Sequence, residues 1–230
     1  QPDDAEGLKA LEGRFVEFVE KALREAKQRT DWVDSNDAYE SAVLDYVRHL
    51  LSPDNQPFLQ DFTTSLLPFI RAGLVNSLTQ TLIKLAAPGV PDIYQGSEAL
   101  NFSLVDPDNR LEPDYPELER LLDAQEHADP RLQEGWSSGQ LKQSFIARLL
   151  HLRQEKPALF RHGDYLPLNA DGEQADNVIA FARVDEDDAL IVLAPRLLFG
   201  ALDGSLNGAV IPLPERLAHR HYRDMLSGED

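Results

Sequence analysis

Polar and aromatic side chains are concentrated between residues 92 and 115, in a stretch with little helical pattern. The polar members are carboxylates, amides and one guanidinium: Asp92, Gln95, Glu98, Asn101, Asp106, Asp108, Asn109 and Arg110. Amides and carboxylates hydrogen-bond to the vicinal hydroxyls of a sugar, and the rings of Tyr94 and Phe102 offer flat apolar faces. The composition of this segment is therefore that of a sugar-binding loop.

The same side chains also have a purely structural interpretation. Asp106 and Asp108 are residue types that cap turns, and Arg110 can form an ion pair with either carboxylate. A calcium loop does not fit, because Arg110 stands where the third ligand belongs and no glycine follows. His219 and His221 lack further metal ligands nearby, so we expect no metal. Residue types alone leave sugar binding and turn capping equally open for this loop.

Hydrophobic periodicity predicts the elements that position this loop. Apolar residues recur at spacings of three and four, which predicts helices near residues 6–29, 37–51, 70–86, 116–126 and 141–154. Pro68 is expected to divide the helical stretch ahead of residue 70, and the β-leaning run at 92–96 predicts one buried strand. After residue 160 the period changes to two over 178–184, and an apolar run follows over 189–194. These patterns predict antiparallel strands.

Composition limits the classes of partner. Lys and Arg number 22 against 40 Asp and Glu, a formal net charge of −18, which repels nucleic acid and favours a neutral or cationic ligand. Cysteine is absent, so disulfides and thiolate metal sites are excluded. No apolar run approaches the roughly 20 residues of a membrane span, and the first residues do not form a signal peptide. We therefore expect a soluble, cytoplasmic protein without a membrane partner.

Residues 88–110 resemble a known enzyme family. The run Pro-Gly-Val-Pro-Asp-Ile-Tyr-Gln-Gly-Ser-Glu at 88–98 is similar to the last barrel strand of the α-amylase superfamily (glycoside hydrolase family 13). Together with residues 102–110 it resembles the maltooligosyl trehalose synthases of that superfamily, and the likeness covers nearly the whole chain. Two positions depart from the family pattern: Ser35 replaces a proline, and Leu111 replaces a second arginine. The second departure lies at the end of the polar loop.

The resemblance implies an α+β fold in two parts. Residues 1–160 would form a helical region that contains the last strand and helices of a (β/α)8 barrel. Residues 161–230 would form a small antiparallel β domain, sandwich-like and incomplete. The family's catalytic carboxylates lie on earlier barrel strands, so we expect no catalytic residue, no cofactor and no activity in this chain alone. An upstream barrel segment of the same protein would be its partner, and without it the apolar face of residues 70–87 would lie bare.

The resemblance also implies a reaction. A (1→4)-α-D-glucan 1-α-D-glucosylmutase converts the reducing-end α-1,4 link of a maltooligosaccharide into the α,α-1,1 link of trehalose. Such an enzyme must hold the released glucose in a closed pocket that excludes water. Loops after the last barrel strands lie at the face where barrel active sites form. The residues expected to bind the substrate are Tyr94, Gln95, Asp106, Asp108, Asn109 and Arg110.

Two other functions stay open at this point. The chain could be a stand-alone α-glucan-binding module without chemistry, or a fragment of an α-glucan hydrolase. The long match over residues 92–110 favours the synthases over the hydrolases, because simple amylases usually share only the strand itself. Binding of a maltooligosaccharide to the isolated chain separates a binding module from an inert fragment.

Overall fold

The computed structural model describes residues 3–106, 108–124, 138–200 and 208–225. Its internal contacts divide the chain into two compact units. One comprises residues 1–67 and 102–112, and the other comprises residues 68–101 and 113–230. The predicted change from helix to strand near residue 161 is confirmed. A domain boundary at that residue stays a prediction, since the contact-based division falls elsewhere.

The first unit contains two helices with polar N-caps. Helix α1 spans Ala5–Ala26 and begins at Asp4, whose carboxylate accepts a hydrogen bond from the N–H of Gly7. Helix α2 spans Asp37–Leu51 and begins at Asn36, whose side-chain oxygen accepts from the N–H of Tyr39. The two helices pack against each other. Both lie where the apolar spacing predicts them.

Helix α3 is continuous over Gln56–Ala86, so the predicted division at Pro68 is wrong. A proline inside a helix removes one hydrogen bond to the carbonyl four residues earlier, here that of Thr64. Both Pro68 and Thr64 are exposed, and water can therefore hydrate the released carbonyl. The helix lacks one backbone hydrogen bond at Pro68 but continues through it. The division between the two units falls at this point of the sequence.

The second unit contains the remaining helices and a three-stranded antiparallel sheet in the order β1-β2-β3. The strands are β1 (Asp164–Leu168), β2 (Val178–Val184) and β3 (Ala189–Pro195). Among the described residues of this unit, the α-helices that follow α3 are α4 (Tyr115–Asp123), α5 (Gln140–Glu155), α6 (Pro157–Arg161) and α7 (Glu215–Ala218). The predicted combination of a helical region followed by antiparallel β structure is confirmed. The end of the predicted helix 116–126 lies outside the described residues.

Residues 92–96 are irregular, and the predicted strand there is wrong. A strand needs a neighbouring strand to receive its backbone N–H and C=O groups. In the part of the chain that the structure describes, the sheet comprises β1, β2 and β3 and does not include this segment. Residues 95–98 instead form a turn, in which the N–H of Ser97 donates to the carbonyl oxygen of Tyr94 at 3.0 Å. A complete barrel strand is therefore not seen at this position.

The C-terminal half of α3 is covered by its own unit. Leu85 is fully buried with Phe145, Ile146 and Leu149 of α5. On another side of the helix, Ala86 packs with residues of β2 and β3, chiefly Phe181 and Val192. The expectation that the whole apolar face of residues 70–87 lies bare is thus wrong for this half. Among the described residues, none of the helices has the length and apolar character of a transmembrane span.

Candidate functional site

Arg14 attaches the loop over residues 102–112 to α1. Its guanidinium donates from Nε to Asp108 Oδ1 (2.9 Å) and from Nη2 to Asp108 Oδ2 (2.7 Å). The Nη2 group also donates to the carbonyl oxygen of Phe102 at 2.9 Å. The N–H of Leu104 adds a bond to Asp108 Oδ2 at 2.6 Å. Both oxygens of this carboxylate therefore have donors, and the loop is held at two points.

The environment of Asp108 keeps it ionised. The Arg14 guanidinium lowers the pKa of this carboxyl below its ordinary value, and the Leu104 N–H contributes to the same shift. The pair also raises the pKa of Arg14. The Asp108 side chain is 11% exposed, so water competes little for its oxygens. A shielded, ionised carboxylate with donors on both oxygens is suited to bracing the loop and not to transferring a proton.

Lys21 makes a second attachment of the same loop. Its Nζ donates to the carbonyl oxygen of Asp106 at 3.0 Å and to Asp106 Oδ2 at 3.2 Å. The other carboxylate oxygen of Asp106 forms an ion pair with Arg110. Of the two pairings that the sequence leaves open, Arg110 thus takes Asp106. The side chains of Asn109 and Arg110 lie exposed at the 3-10 turn Asp108–Arg110.

Arg24 is a third cation of α1, after Arg14 and Lys21, that binds a carboxylate. Its guanidinium donates to both carboxylate oxygens of the buried Glu40, from Nε at 3.2 Å and from Nη2 at 2.8 Å. The hydroxyl of Thr30 donates to the same carboxylate. Arg24, and then Thr30, lower the pKa of Glu40 below its ordinary value. This network joins α1 to the start of α2.

The sequence analysis missed this cationic face of α1. Arg14, Lys21 and Arg24 are separated by seven and three positions, which places them on one side of a helix. This spacing is present in the sequence, but the periodicity of apolar residues does not reveal it. The acceptors lie far away in sequence, because Asp108 follows Arg14 by 94 residues. A spacing rule within one helix cannot identify such partners.

In the second unit, Tyr94 and Gln95 lie in the irregular segment after α3. The Tyr94 ring is 69% exposed, and its carbonyl oxygen accepts from both the N–H and the hydroxyl of Ser97. The Gln95 side-chain oxygen accepts from the hydroxyl of Tyr115 at 3.3 Å. The predicted substrate-binding residues are therefore divided, with two in this unit and four in the loop on α1. Whether they bind substrate stays a prediction.

Two arginines bind the carbonyl oxygens at the end of α3, where the irregular segment over residues 87–101 begins. Arg153 donates to the carbonyl oxygens of Leu85 (2.7 Å) and Gly89 (3.2 Å). The buried Arg183 of β2 donates to the carbonyl oxygen of Ala86 at 3.4 Å. The last carbonyls of a helix carry partial negative charge, and cations there are stabilising. Burial lowers the pKa of both guanidinium groups.

Lys142 and Gly139 hold the other end of the segment. Lys142 Nζ donates to the carbonyl oxygen of Ala99 at 3.2 Å, and its pKa is lowered first by burial and then by the nearby Lys84. Gly139 has a φ of +84°, and a Cβ there would lie 2.6 Å from the backbone nitrogen of Leu100. The backbone of residues 99–100 is thus held close to the start of α5, where only a glycine fits.

The buried carboxylates of the first unit are taken up by ion pairs. Among the described residues, no group of three or more His, Asp or Glu could hold a metal ion. Asp108 is paired with Arg14 and Glu40 with Arg24, and each arginine lowers the pKa of its carboxyl group below the ordinary value. Next to Asp108 in the loop, the amide of Asn109 and the guanidinium of Arg110 lie exposed.

Comparison with known proteins identifies what the chain is similar to. No protein-family model matches it. A protein of Mycobacterium tuberculosis (strain CDC 1551 / Oshkosh), provisionally named maltooligosyl trehalose synthase, is 34% identical over 214 residues, or 93% of this chain. The structure of maltooligosyltrehalose synthase from Arthrobacter ramosus matches 95% of the chain with a TM-score of 0.78 and 36% identity. The chain resembles part of a maltooligosyl trehalose synthase.

A crystal structure of another maltooligosyl trehalose synthase agrees, with a TM-score of 0.77 and 28% identity over 96% of this chain. The resemblance expected from residues 88–110 is therefore confirmed. The chain spans about a quarter of these relatives, namely 26% of the mycobacterial protein and 27% and 28% of the two solved chains. The relatives' names concern proteins about four times as long.

Proposed function

We propose that this chain is the C-terminal part of a (1→4)-α-D-glucan 1-α-D-glucosylmutase that makes maltooligosyl trehalose. The observation that carries the proposal is the similarity of 93% of the chain to a maltooligosyl trehalose synthase. The anchored loop on α1 supports it, because a pocket that retains a released glucose needs rigid walls. The catalytic carboxylates would lie in an upstream barrel segment.

In this proposal the loop residues have two kinds of role. Asp106 and Asp108 brace the loop through Lys21 and Arg14. The exposed Asn109 and Arg110 contact the sugar with amide and guanidinium donors. In the second unit, Tyr94 offers its ring and Gln95 its amide. All six residues expected from the sequence thus contribute to substrate binding. Asp106 and Asp108 do so by bracing the loop, and the other four by contacting the sugar.

The chemistry follows the logic of retaining glycosidases. A carboxylate attacks the anomeric carbon and forms a covalent glycosyl-enzyme, while a carboxylic acid protonates the departing oxygen of the reducing-end glucose. The anomeric hydroxyl of that glucose then attacks the anomeric carbon of the glycosyl-enzyme. Its proton goes to the former acid, which is now a carboxylate, and the bond to the enzyme nucleophile breaks. Attack by water instead would give hydrolysis. The contribution proposed for this chain is to hold the glucose and to exclude water.

A chimera tests the proposal directly. In it, this chain replaces the matching segment of the Arthrobacter ramosus synthase, to which it is 36% identical. The expected product from maltopentaose is the trehalose-ended isomer, whereas the isolated chain should give no product. Production of glucose and shortened maltooligosaccharides, without the isomer, would identify the chain as part of a hydrolase and contradict the proposal. Hydrolytic turnover in that case also shows that the chimera is folded.

The second candidate is a glucan-binding module without chemistry, and the large exposure of Tyr94 and Phe102 favours it. Calorimetry with maltopentaose and the isolated chain measures this function. Binding by the isolated chain, combined with a chimera that makes no isomer, would favour the module. Isomer formation by the chimera favours the synthase whatever the isolated chain binds.

A further inference from the structure

Trp32 lies on a hydrogen-bonded turn between α1 and α2. Its side chain is 57% exposed, although the turn that carries it is closed. The N–H of Asp31 donates to the carbonyl oxygen of Asp34 at 3.2 Å. In return, Asp31 Oδ1 accepts from the N–H groups of Val33 and Asp34, each at 2.7 Å. The bonds from the N–H groups of Asp34 and Val33 lower the pKa of Asp31 below its ordinary value.

The orientation of the indole ring is also set. The Arg24 guanidinium carbon lies 5.0 Å from the ring centroid, which is the distance of a cation–π contact. The indole Nε1–H donates to Glu25 Oε1 at 3.2 Å. Arg24 is itself held by the buried Glu40. The indole ring is thus exposed to water, while Arg24 packs against its face and Glu25 holds its N–H edge.

We propose that Trp32 is a stacking platform for one glucose unit of an α-glucan. The apolar C–H face of a pyranose packs on an aromatic ring, and a ring that is already oriented loses little entropy on binding. The net charge of −18 favours a neutral ligand over a phosphorylated one. The exposed side chains of Asp34 and Ser35 lie on the same turn and can accept hydrogen bonds from sugar hydroxyls.

The choice of glucan as ligand rests on the proposed function, but the site is separate from the loop at 102–112. It lies instead at the hairpin that joins α1 and α2. A purely structural role would have the indole shield the Arg24–Glu40 ion pair from water. In that case Trp32 would affect stability, and sugar would not change its environment.

The sequence contains two tryptophans, Trp32 and Trp136, so a single substitution isolates the signal. In the Trp136→Phe chain, Trp32 is the sole tryptophan, and maltopentaose should change its fluorescence in a saturable way. Sorbitol, which has hydroxyls but no ring, should not. Calorimetry with the 230-residue chain should show Kd weakened about fivefold or more by Trp32→Ala, and only about two- to threefold by Trp32→Phe, which keeps a flat ring.

Two results would overturn the inference. One is Trp32 emission that stays unchanged up to maltopentaose concentrations in the high millimolar range. The other is equal loss of affinity in the Phe and Ala variants together with lowered Tm, which indicates bracing. The first measurement does not depend on the folding of any Trp32 variant. The chimera assay is judged by its products, so this inference can fail while the proposed function stands.

Discussion

At the scale of residues, the pair Arg14–Asp108 separates bracing from sugar contact. We expect Asp108→Asn, placed in the chimera, to lower total turnover about 10- to 100-fold with an unchanged ratio of isomer to glucose, because a misplaced loop slows every step. Asn109→Ala should raise the share of glucose, since a sugar contact is lost and water enters. The two products are quantified separately by chromatography. If both variants keep the parent's turnover and ratio, the loop is not part of the site.

The same pair predicts a pH dependence of stability. Arg14 lowers the folded-state pKa of Asp108, whereas an unfolded aspartate has a pKa of about 3.9. The stabilisation is therefore present above about pH 4 and is lost as the pH falls through the lower, folded pKa. The Tm difference between the wild-type chain and Asp108→Asn should be large at pH 7 and small at pH 2 to 3. A difference that is constant with pH would contradict this account.

At the scale of elements, Arg183 of β2 holds the C-terminal end of α3 to the sheet. Its Nη1 donates to the carbonyl oxygen of Ala86, and its Nη2 donates to the carbonyl oxygens of Leu159, Phe160 and Gly163 at 3.0 to 3.1 Å. Arg183→Met would leave these carbonyls without their donor, so we expect unfolding to become easier by about 3 kcal/mol or more. Denaturant titration measures this.

Arg196→Met is the matched control for Arg183→Met. The Arg196 side chain is 46% exposed and bonds to the carbonyl and carboxylate oxygens of Asp176. Its loss should cost less than about 1 kcal/mol. Equal effects of the two substitutions would show that Arg183 does not organise this unit.

Pro68 provides a second prediction for an element. It lies exposed inside α3, where its missing N–H removes one helical hydrogen bond. Pro68→Ala restores that bond, and we expect the chain to gain about 1 to 3 kcal/mol of stability. The exposed Ser65→Ala, in the same helix, is the control and should change stability by less than about 0.5 kcal/mol. A loss of stability in Pro68→Ala would mean that the helix requires its proline.

At the scale of the whole molecule, exposed apolar side chains and the large negative charge have opposite effects on self-association. In the second unit, Phe69 and Phe199 are 59% and 52% exposed, and their ring centroids lie 4.7 Å apart. Apolar patches favour association, while the net charge of −18 opposes it. Since salt shortens the Debye length to about 10 Å at 0.1 M, we expect association to increase with salt.

Sedimentation velocity at two salt concentrations and a series of protein concentrations measures this association. Phe199→Ser should reduce it, and Leu150→Ser, which removes an exposed apolar side chain from α5, serves as the control. A chain that stays strictly monomeric under all of these conditions would show that its exposed apolar groups do not form an adhesive surface.

Local patterns in the sequence determined the positions of most elements. The apolar spacing and the caps at Asp4 and Asn36 act within a few residues, and they predict α1 and α2 closely. The alternation over 178–184 likewise identifies β2 as a strand. The resemblance to the synthases was also visible in the linear motif over residues 88–110. These features need no knowledge of distant contacts.

The tertiary structure alone decided the partners of the polar residues. The sequence allowed Arg110 to pair with either Asp106 or Asp108, but Arg14 on α1 takes Asp108 and leaves Asp106 to Arg110. It also decided that residues 92–96 lack a strand, because hydrogen-bond partners for a strand come from other segments. An ion pair depends on which elements pack together, and short-range patterns do not contain that information.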